Sequence, residues 1–274
     1  MRFARLVANL AAFIGLTIAK PEVVIVPGAW QIEPSWALFR GFLEEAGYNV
    51  SQVTLPSVGI SLTGLDTDVS ATQAVIDPLL QEGKEVVILS HSMGGLVAAN
   101  SIEDRDIASR SADGYEGGVI QLIYLAAFIT PAGYSLFNLM GNGYFDWMLV
   151  EGGKVSGNTS EIVEVGFNDL DEATASEYAS YMTWTSEKAF TDAADYAPWT
   201  NSNITEAYIH TLLDNALPYP IQTEMAALLP DGSAVYSINS SHVPFISHPD
   251  ELLTAVEAAV EVGVEAAAKF TVRT

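Results

Sequence analysis

Three side chains in this 274-residue chain could together perform acyl transfer: Ser92, Asp214 and His242. Ser92 lies in "LSHSMGG" (89–95), a near match to the G-x-S-x-G turn that presents a nucleophilic serine between a strand and a helix. Gly94 and Gly95 supply the small residues the turn needs after the serine, whereas Ser90 stands where its first glycine is expected. A serine hydroxyl is a weak nucleophile and needs a base, so the four histidines are the next residues to weigh. His91 adjoins the serine, but the turn aims its side chain elsewhere. His210 falls inside a β-rich run and reads as structural, and His248 precedes Pro249 at a helix start. His242, in "NSSHVPF", follows the last β-rich run and comes after both the serine and an acid, the order Ser, Asp, His of one known triad arrangement. Asp214, in "HTLLDNALPYP", follows the preceding β-rich run and could hold the imidazole in its working tautomer; a turn or helix cap near Pro218 is its plainer role. Asp231 sits in an Asp-Gly turn before the last strand, at the wrong end of a parallel sheet.

An acyl-transfer site also needs N–H donors for a developing oxyanion. The backbone of Met93, directly after the serine, offers one. The loop "PGAW" (27–30) offers the other, at Ala29, with Gly28 and Trp30 expected in the pocket wall beside it and Val243 beside His242.

Such residues converge only if strand ends bring them together, and the chain alternates accordingly. Short apolar runs occur at 22–28, 48–56, 85–91, 118–129, 206–213 and 233–239. Helical spacing fills 34–47, about 68–82, 93–105 and 249–269, with Pro78 casting doubt on the last turn of the second. Six strands alternating with helices predict an α/β fold, a mainly parallel sheet covered on both faces, with its ligand site beyond the carboxyl ends of the strands. Residues 131–199 break the rhythm and are rich in Phe, Tyr and Trp. They read as an inserted, mostly helical cap over an apolar pocket, leaving 20–130 and 200–274 as the core.

These blocks resemble the α/β-hydrolase superfamily, in particular its small plant-type methylesterase and hydroxynitrile-lyase group and their microbial relatives. "VIVPGAW", "VVILSHSMGG", "YLAAFITP", "YIHTLLDNALP" and "SSHVPFISHPDELL" carry the likeness, which spans about 21–265 and fades in the cap. It implies Ser92 as nucleophile, Asp214 as acid and His242 as base. Pro27 replaces the histidine of the group's "HGA" segment, and Ser90 its elbow glycine. The lyases of the group carry a threonine where Gly28 stands and a lysine where Val243 stands, so cyanohydrin cleavage is disfavoured and hydrolysis of an ester or lactone of a small, mostly apolar molecule is expected. The alternatives are a receptor-like binder with little turnover and a carbonyl lyase.

A formal charge of −23 repels phosphate backbones and anionic lipid headgroups, which argues against nucleic-acid partners. With no cysteine there is no thiol or disulfide chemistry, and the scattered histidines suggest neither metal nor cofactor. Residues 1–19, "MRFARLVANLAAFIGLTIA", read as a secretory signal: Arg2 and Arg5, a short apolar stretch, then small residues before a cut. Secretion without stable membrane insertion is therefore expected, with a cytoplasmic location as the alternative.

Overall fold

The computed structural model describes residues 20–201 and 204–271; the signal segment expected at 1–19 lies outside them. The strands are β1 (Glu22–Val26), β2 (Val50–Gln52), β3 (Glu85–His91), β4 (Gly118–Leu125), β5 (Met148–Glu151), β6 (Lys154–Gly157), β7 (Thr185–Ser186), β8 (Thr205–Thr211) and β9 (Ala234–Ile238). Six of them form one parallel sheet in the order β2-β1-β3-β4-β8-β9. These are the six runs expected: β3 fills its run, and the other five stop short of theirs at the carboxyl end, where the chain turns towards the site. All eight residues of β4 and six of seven in β3 are buried, as both faces of a parallel sheet must be when helices cover them.

The first covering helices are α1 (Ala37–Glu45), α2 (Leu65–Gln81), α3 (Gly94–Ser101) and α4 (Ile107–Ala112). Helix α2 runs through Pro78, which stands in its last turn and so removes only one late hydrogen bond. Helix α3 is buried along its whole length, wedged against β1, β3 and β4.

Between β4 and β8 the chain leaves the sheet. It forms α5 (Leu136–Leu139), α6 (Ile162–Gly166), α7 (Glu172–Ser180), α8 (Glu187–Thr191) and α9 (Pro198–Asn201). To these helices it adds a three-stranded antiparallel sheet, β5-β6-β7. Strands of four, four and two residues are too short for alternation to mark them in sequence. The insertion is tied to the core at Ser57 and Val58: Ser186 N–H donates to the Ser57 carbonyl at 2.8 Å, and Val58 bridges Thr185.

After β8 come α10 (Tyr219–Ala226), α11 (Pro244–Ser247) and α12 (Pro249–Thr271). The last packs on β4, β8 and β9 with α1 and α4 beside it. No described helix is long and apolar enough to cross a membrane.

Candidate active site

Ser92 stands between β3 and α3 with φ of 53°, a left-handed conformation that costs a non-glycine residue on the order of 1–3 kcal/mol. Its N–H donates to the Leu125 carbonyl at 3.3 Å and its carbonyl accepts from Phe128 N–H at 3.0 Å. The end of β4 thus clamps the strained residue from both sides. The glycine after Met93 is obligatory: a Cβ on Gly94 would lie 2.4 Å from the Val26 carbonyl oxygen and 2.5 Å from that of Pro27. Ser90, the departure from the motif, is fully buried, and its hydroxyl donates to the Ile123 carbonyl at 2.9 Å. A serine therefore fits where glycine was expected because the neighbouring strand supplies an acceptor.

His242 lies beyond β9 and Asp214 beyond β8. His242 Nδ1 is 2.7 Å from Asp214 Oδ2. The carboxylate is buried and saturated: Oδ2 also accepts from the Thr211 hydroxyl at 2.8 Å and Gln222 Nε2 at 3.1 Å, and Oδ1 accepts from the amides of Ala216 and Leu217, both at 2.8 Å. Asp214 thus organises the turn ahead of α10 and grips the imidazole at once, so its two sequence readings are compatible. Asp231 lies in an exposed turn ahead of β9.

Ser92 and His242 line two adjoining cavities. One runs between Ile162, Phe167, Tyr178, Met182, Val243 and Phe245. The other runs between Met93, Phe128, Met140, Phe145, Met148 and Phe190. Ala29, Trp30, Trp147 and Ala216 border both. Ala29, Met93, Trp30 and Val243 therefore face the space that Ser92 faces. Gly28, expected in the pocket wall, lies one layer behind it. A Cβ there would come within 2.9 Å of Ser92 Cβ and 3.0 Å of His91 Nδ1, so the glycine permits close approach rather than lining the pocket. Among the described residues, the loop, turn and side-chain hydrogen bonds use neither the Ala29 nor the Met93 amide, and both remain available to an incoming oxygen. Trp30, at φ of 66°, is held against the insertion by its own N–H to Thr185 Oγ1 at 2.8 Å and its indole N–H to the Val155 carbonyl at 2.9 Å.

Three residues that sequence reasoning passed over complete the arrangement. His91 is fully buried, and Nε2 lies 2.8 Å from the His242 carbonyl oxygen. A carbonyl only accepts, so Nε2 carries the proton and Nδ1 accepts from Gln31 Nε2 at 3.1 Å. Burial, with the nearby His242, holds the His91 pKa well below the usual histidine range and keeps the ring neutral. Gln31 Oε1 in turn accepts from Gly28 N–H at 2.8 Å and from the Trp36 indole at 3.1 Å. These hydrogen bonds join the Gly28–Ala29 loop to the backbone of His242. The third is Asp169, in the insertion, whose Oδ2 accepts from Ser241 N–H at 2.8 Å and lies 3.4 Å from His248 Nδ1. His210 is buried in β8, its ring tilted against Tyr208 and edge-on to Tyr219.

The chain belongs to the alpha/beta hydrolase family: the profile of that description matches residues 23–255. It is 24% identical to the alpha/beta hydrolase nvfD of Aspergillus novofumigatus, an alignment covering 90% of this chain and 99% of that one. Over a shorter stretch, 31% of this chain and 34% of the relative, it is 33% identical to methylesterase 3 of Arabidopsis thaliana. Among solved structures it resembles a pyrethroid hydrolase from Sphingobium faniae JZ-2, with a TM-score of 0.70 at 23% identity, covering 89% of this chain and 99% of that one. The methylesterase MES16 from Arabidopsis superposes with a TM-score of 0.68 at 20% identity, over 88% of this chain and 99% of that one.

Proposed function

We propose that this protein hydrolyses a carboxylic ester of a small, mostly apolar molecule through an acyl-enzyme on Ser92. One observation carries the reading: the left-handed Ser92 and the Asp214-bound His242 border the same apolar space. The relatives named as methylesterases and as a pyrethroid hydrolase support the same reaction class.

In this reading His242 Nε2 takes the Ser92 hydroxyl proton as Oγ attacks the ester carbonyl carbon. The carbonyl oxygen becomes an oxyanion and accepts from the Ala29 and Met93 amides. Asp214 stabilises the imidazolium through Nδ1–H without itself taking the proton. The intermediate collapses, the C–O bond to the alcohol breaks, and His242 returns its proton to the leaving oxygen. Water, deprotonated by His242, then attacks the acyl-enzyme, releasing the acid and restoring Ser92.

Gly28 weighs against the lyase alternative. A threonine at this position would need the Ser92 and His91 side chains to retreat from its Cβ. A lactone, being an ester, enters the same scheme.

A fluorophosphonate probe should label Ser92, located by peptide mass spectrometry, and Ser92→Ala should lose both labelling and turnover of p-nitrophenyl esters while melting like the parent. Unchanged turnover in Ser92→Ala refutes the assignment; a parent that binds esters yet neither labels nor hydrolyses them is a receptor. Export directed by residues 1–19 belongs to the same proposal. N-terminal sequencing of protein recovered from the medium checks it, with Lys20 as the expected first residue.

A further inference from the structure

The loop that carries His242 runs from the end of β9 to the start of α11, residues 239–243. Three consecutive residues of this loop are hydrogen-bonded to distant parts of the chain. The Ser240 carbonyl accepts from Leu213 N–H at 2.9 Å, Ser241 N–H donates to Asp169 Oδ2 at 2.8 Å, and the His242 carbonyl faces His91 Nε2 at 2.8 Å. The first and third partners belong to the core. The second comes from the insertion, in the turn between α6 and α7.

Asp169 is poorly suited to a purely structural contact. Its side chain is 8% exposed, and Oδ1 is buried with no hydrogen-bond partner among the described residues. Oδ2 meets the Ser241 amide and, at 3.4 Å, His248 Nδ1. Taking a carboxylate out of water for so few partners adds little to folding. It does aim a charged acceptor at the backbone amide next to the proposed base, and charge-assisted hydrogen bonds are shorter and stronger than neutral ones. Asp214 needs no such support, because its own carboxylate accepts from Thr211, Ala216, Leu217 and Gln222. The insertion also reaches the loop of the acid, where Asn168 Nδ2 donates to the Leu213 carbonyl at 2.9 Å, but that contact is exposed. Removing the Asp169 carboxylate therefore leaves the acid in place and frees the loop of the base to shift.

We propose that Asp169 is a positioning residue for the reaction: from the insertion it holds the Ser241 amide, so that His242 Nδ1 keeps its 2.7 Å approach to Asp214. This rests on the ester-hydrolase reading above.

Four variants test it. Asp169→Ala removes the acceptor, and Asp169→Ser, polar but one atom too short to reach the amide, stands in should the alanine variant not fold. Asp169→Asn keeps an oxygen acceptor. Asn168→Ala loosens the insertion without touching the loop of the base. On p-nitrophenyl butyrate, at a temperature where calorimetry shows each protein folded, Asp169→Ala and Asp169→Ser should lose kcat about 10- to 100-fold with KM changed less than about threefold. Asp169→Asn should recover to within about fivefold of the parent, and Asn168→Ala should stay within about threefold. The downfield proton resonance of the His242–Asp214 hydrogen bond, read by NMR without substrate, should shift or broaden in the first two variants and hold in the others. The proposal is overturned by a kcat in Asp169→Ala or Asp169→Ser within about threefold of the parent, by an asparagine variant no better than these, or by an equal loss in Asn168→Ala. A rise in KM alone also overturns it and makes Asp169 a prop for the cavity wall at Phe167. A parent that hydrolyses no ester removes the hydrolase reading, and the resonance then decides the positioning by itself: unchanged in Asp169→Ala and Asp169→Ser, it overturns that as well.

Discussion

Gln31→Leu tests whether the buried chain from Gly28 to His242 does more than fill space. Leucine approximates the size of glutamine but leaves three groups without partners: Gly28 N–H, the Trp36 indole N–H and His91 Nδ1. Trp36 and His91 are fully buried. An unsatisfied buried polar group costs about 1–3 kcal/mol. Gln31 is itself half-buried on the cavity wall, so water can reach part of the gap, and the expected net loss is about 2–4 kcal/mol. In a chain of this size that lowers Tm by roughly 5–12 °C. The kinetic effect is separable from the loss of stability. Gly28 N–H is the hydrogen bond that anchors the loop one residue before Ala29, so its release misaims a proposed oxyanion donor. Removing such a donor outright lowers kcat about 10²–10³-fold, and misaiming it should cost about 10- to 100-fold, with KM changed less than threefold. Steady-state kinetics on p-nitrophenyl butyrate, at a temperature where calorimetry shows the variant fully folded, measure the split. A variant that melts lower yet keeps kcat within twofold of the parent would reduce Gln31 and His91 to packing.

Further expectations concern single sites. In Asp214→Asn the amide oxygen should remain at the Oδ1 position, facing the Ala216 and Leu217 amides, which places NH₂ opposite His242 Nδ1; the imidazole must then change tautomer, and kcat should fall about 10³–10⁴-fold with binding of a substrate analogue retained. Ser90→Ala should lose about 1 kcal/mol with the Ile123 hydrogen bond and leave kcat within twofold, measured by urea unfolding and ester kinetics; a tenfold fall in kcat would give the hydroxyl a part in the chemistry. Glu206, on β8, is buried, which pushes its pKa up to about 8 despite the hydrogen bond from Tyr124 at 3.3 Å. A raised folded-state pKa means the folded protein holds this proton more tightly than the unfolded chain does. The stabilisation is complete below the unfolded value near 4.5 and is lost as pH rises through about 8, on the order of 4–5 kcal/mol in all. Glu206→Gln should therefore match or trail the parent at pH 5 and exceed it at pH 8.5 in urea midpoint, and parallel pH profiles for the two proteins would refute the assignment.

The strand ends were legible because chemistry and periodicity agreed there. "EVVILSH" and "EAYIHTLLD" each combine a buried-strand pattern with polar residues at its carboxyl end, and a parallel sheet gathers such ends on one edge. Ser92, Asp214 and His242 were singled out on that ground, and the structure sets all three at that edge with His242 against Asp214. Gly28 lies behind the pocket wall rather than in it, a difference the sequence does not show, because sequence locates a loop without saying which of its atoms face inward. Residues 148–157 gave no sign of their two strands, being short and mostly exposed. Gln31, His91 and Asp169 escaped for another reason. His91 finds the His242 carbonyl 151 positions away, and Asp169 finds the Ser241 amide 72 positions away. A tertiary hydrogen bond leaves no local periodicity, and the residue types alone, a glutamine before a helix and a histidine beside a serine, fit many plainer roles.

His91 also explains how a strained turn and a distant loop keep a common geometry. The elbow forces Ser92 to φ of 53°, and the residue before it ends β3 with its side chain directed into the protein. An apolar residue there would pack but could not satisfy the His242 carbonyl, which faces His91 Nε2 at 2.8 Å. A lysine would carry a charge into a fully buried place. A neutral imidazole donates on one side and accepts on the other, so the backbone of the proposed base and the loop of the proposed oxyanion donor are fixed from the same point as the nucleophile. The two rings also differ in their partners. Its Nδ1 faces a carboxylate that can stabilise a second proton on the ring, whereas both nitrogens of His91 face neutral groups that cannot. Of two histidines with ring centroids 4.5 Å apart, His242 is the one whose partners suit the proposed base.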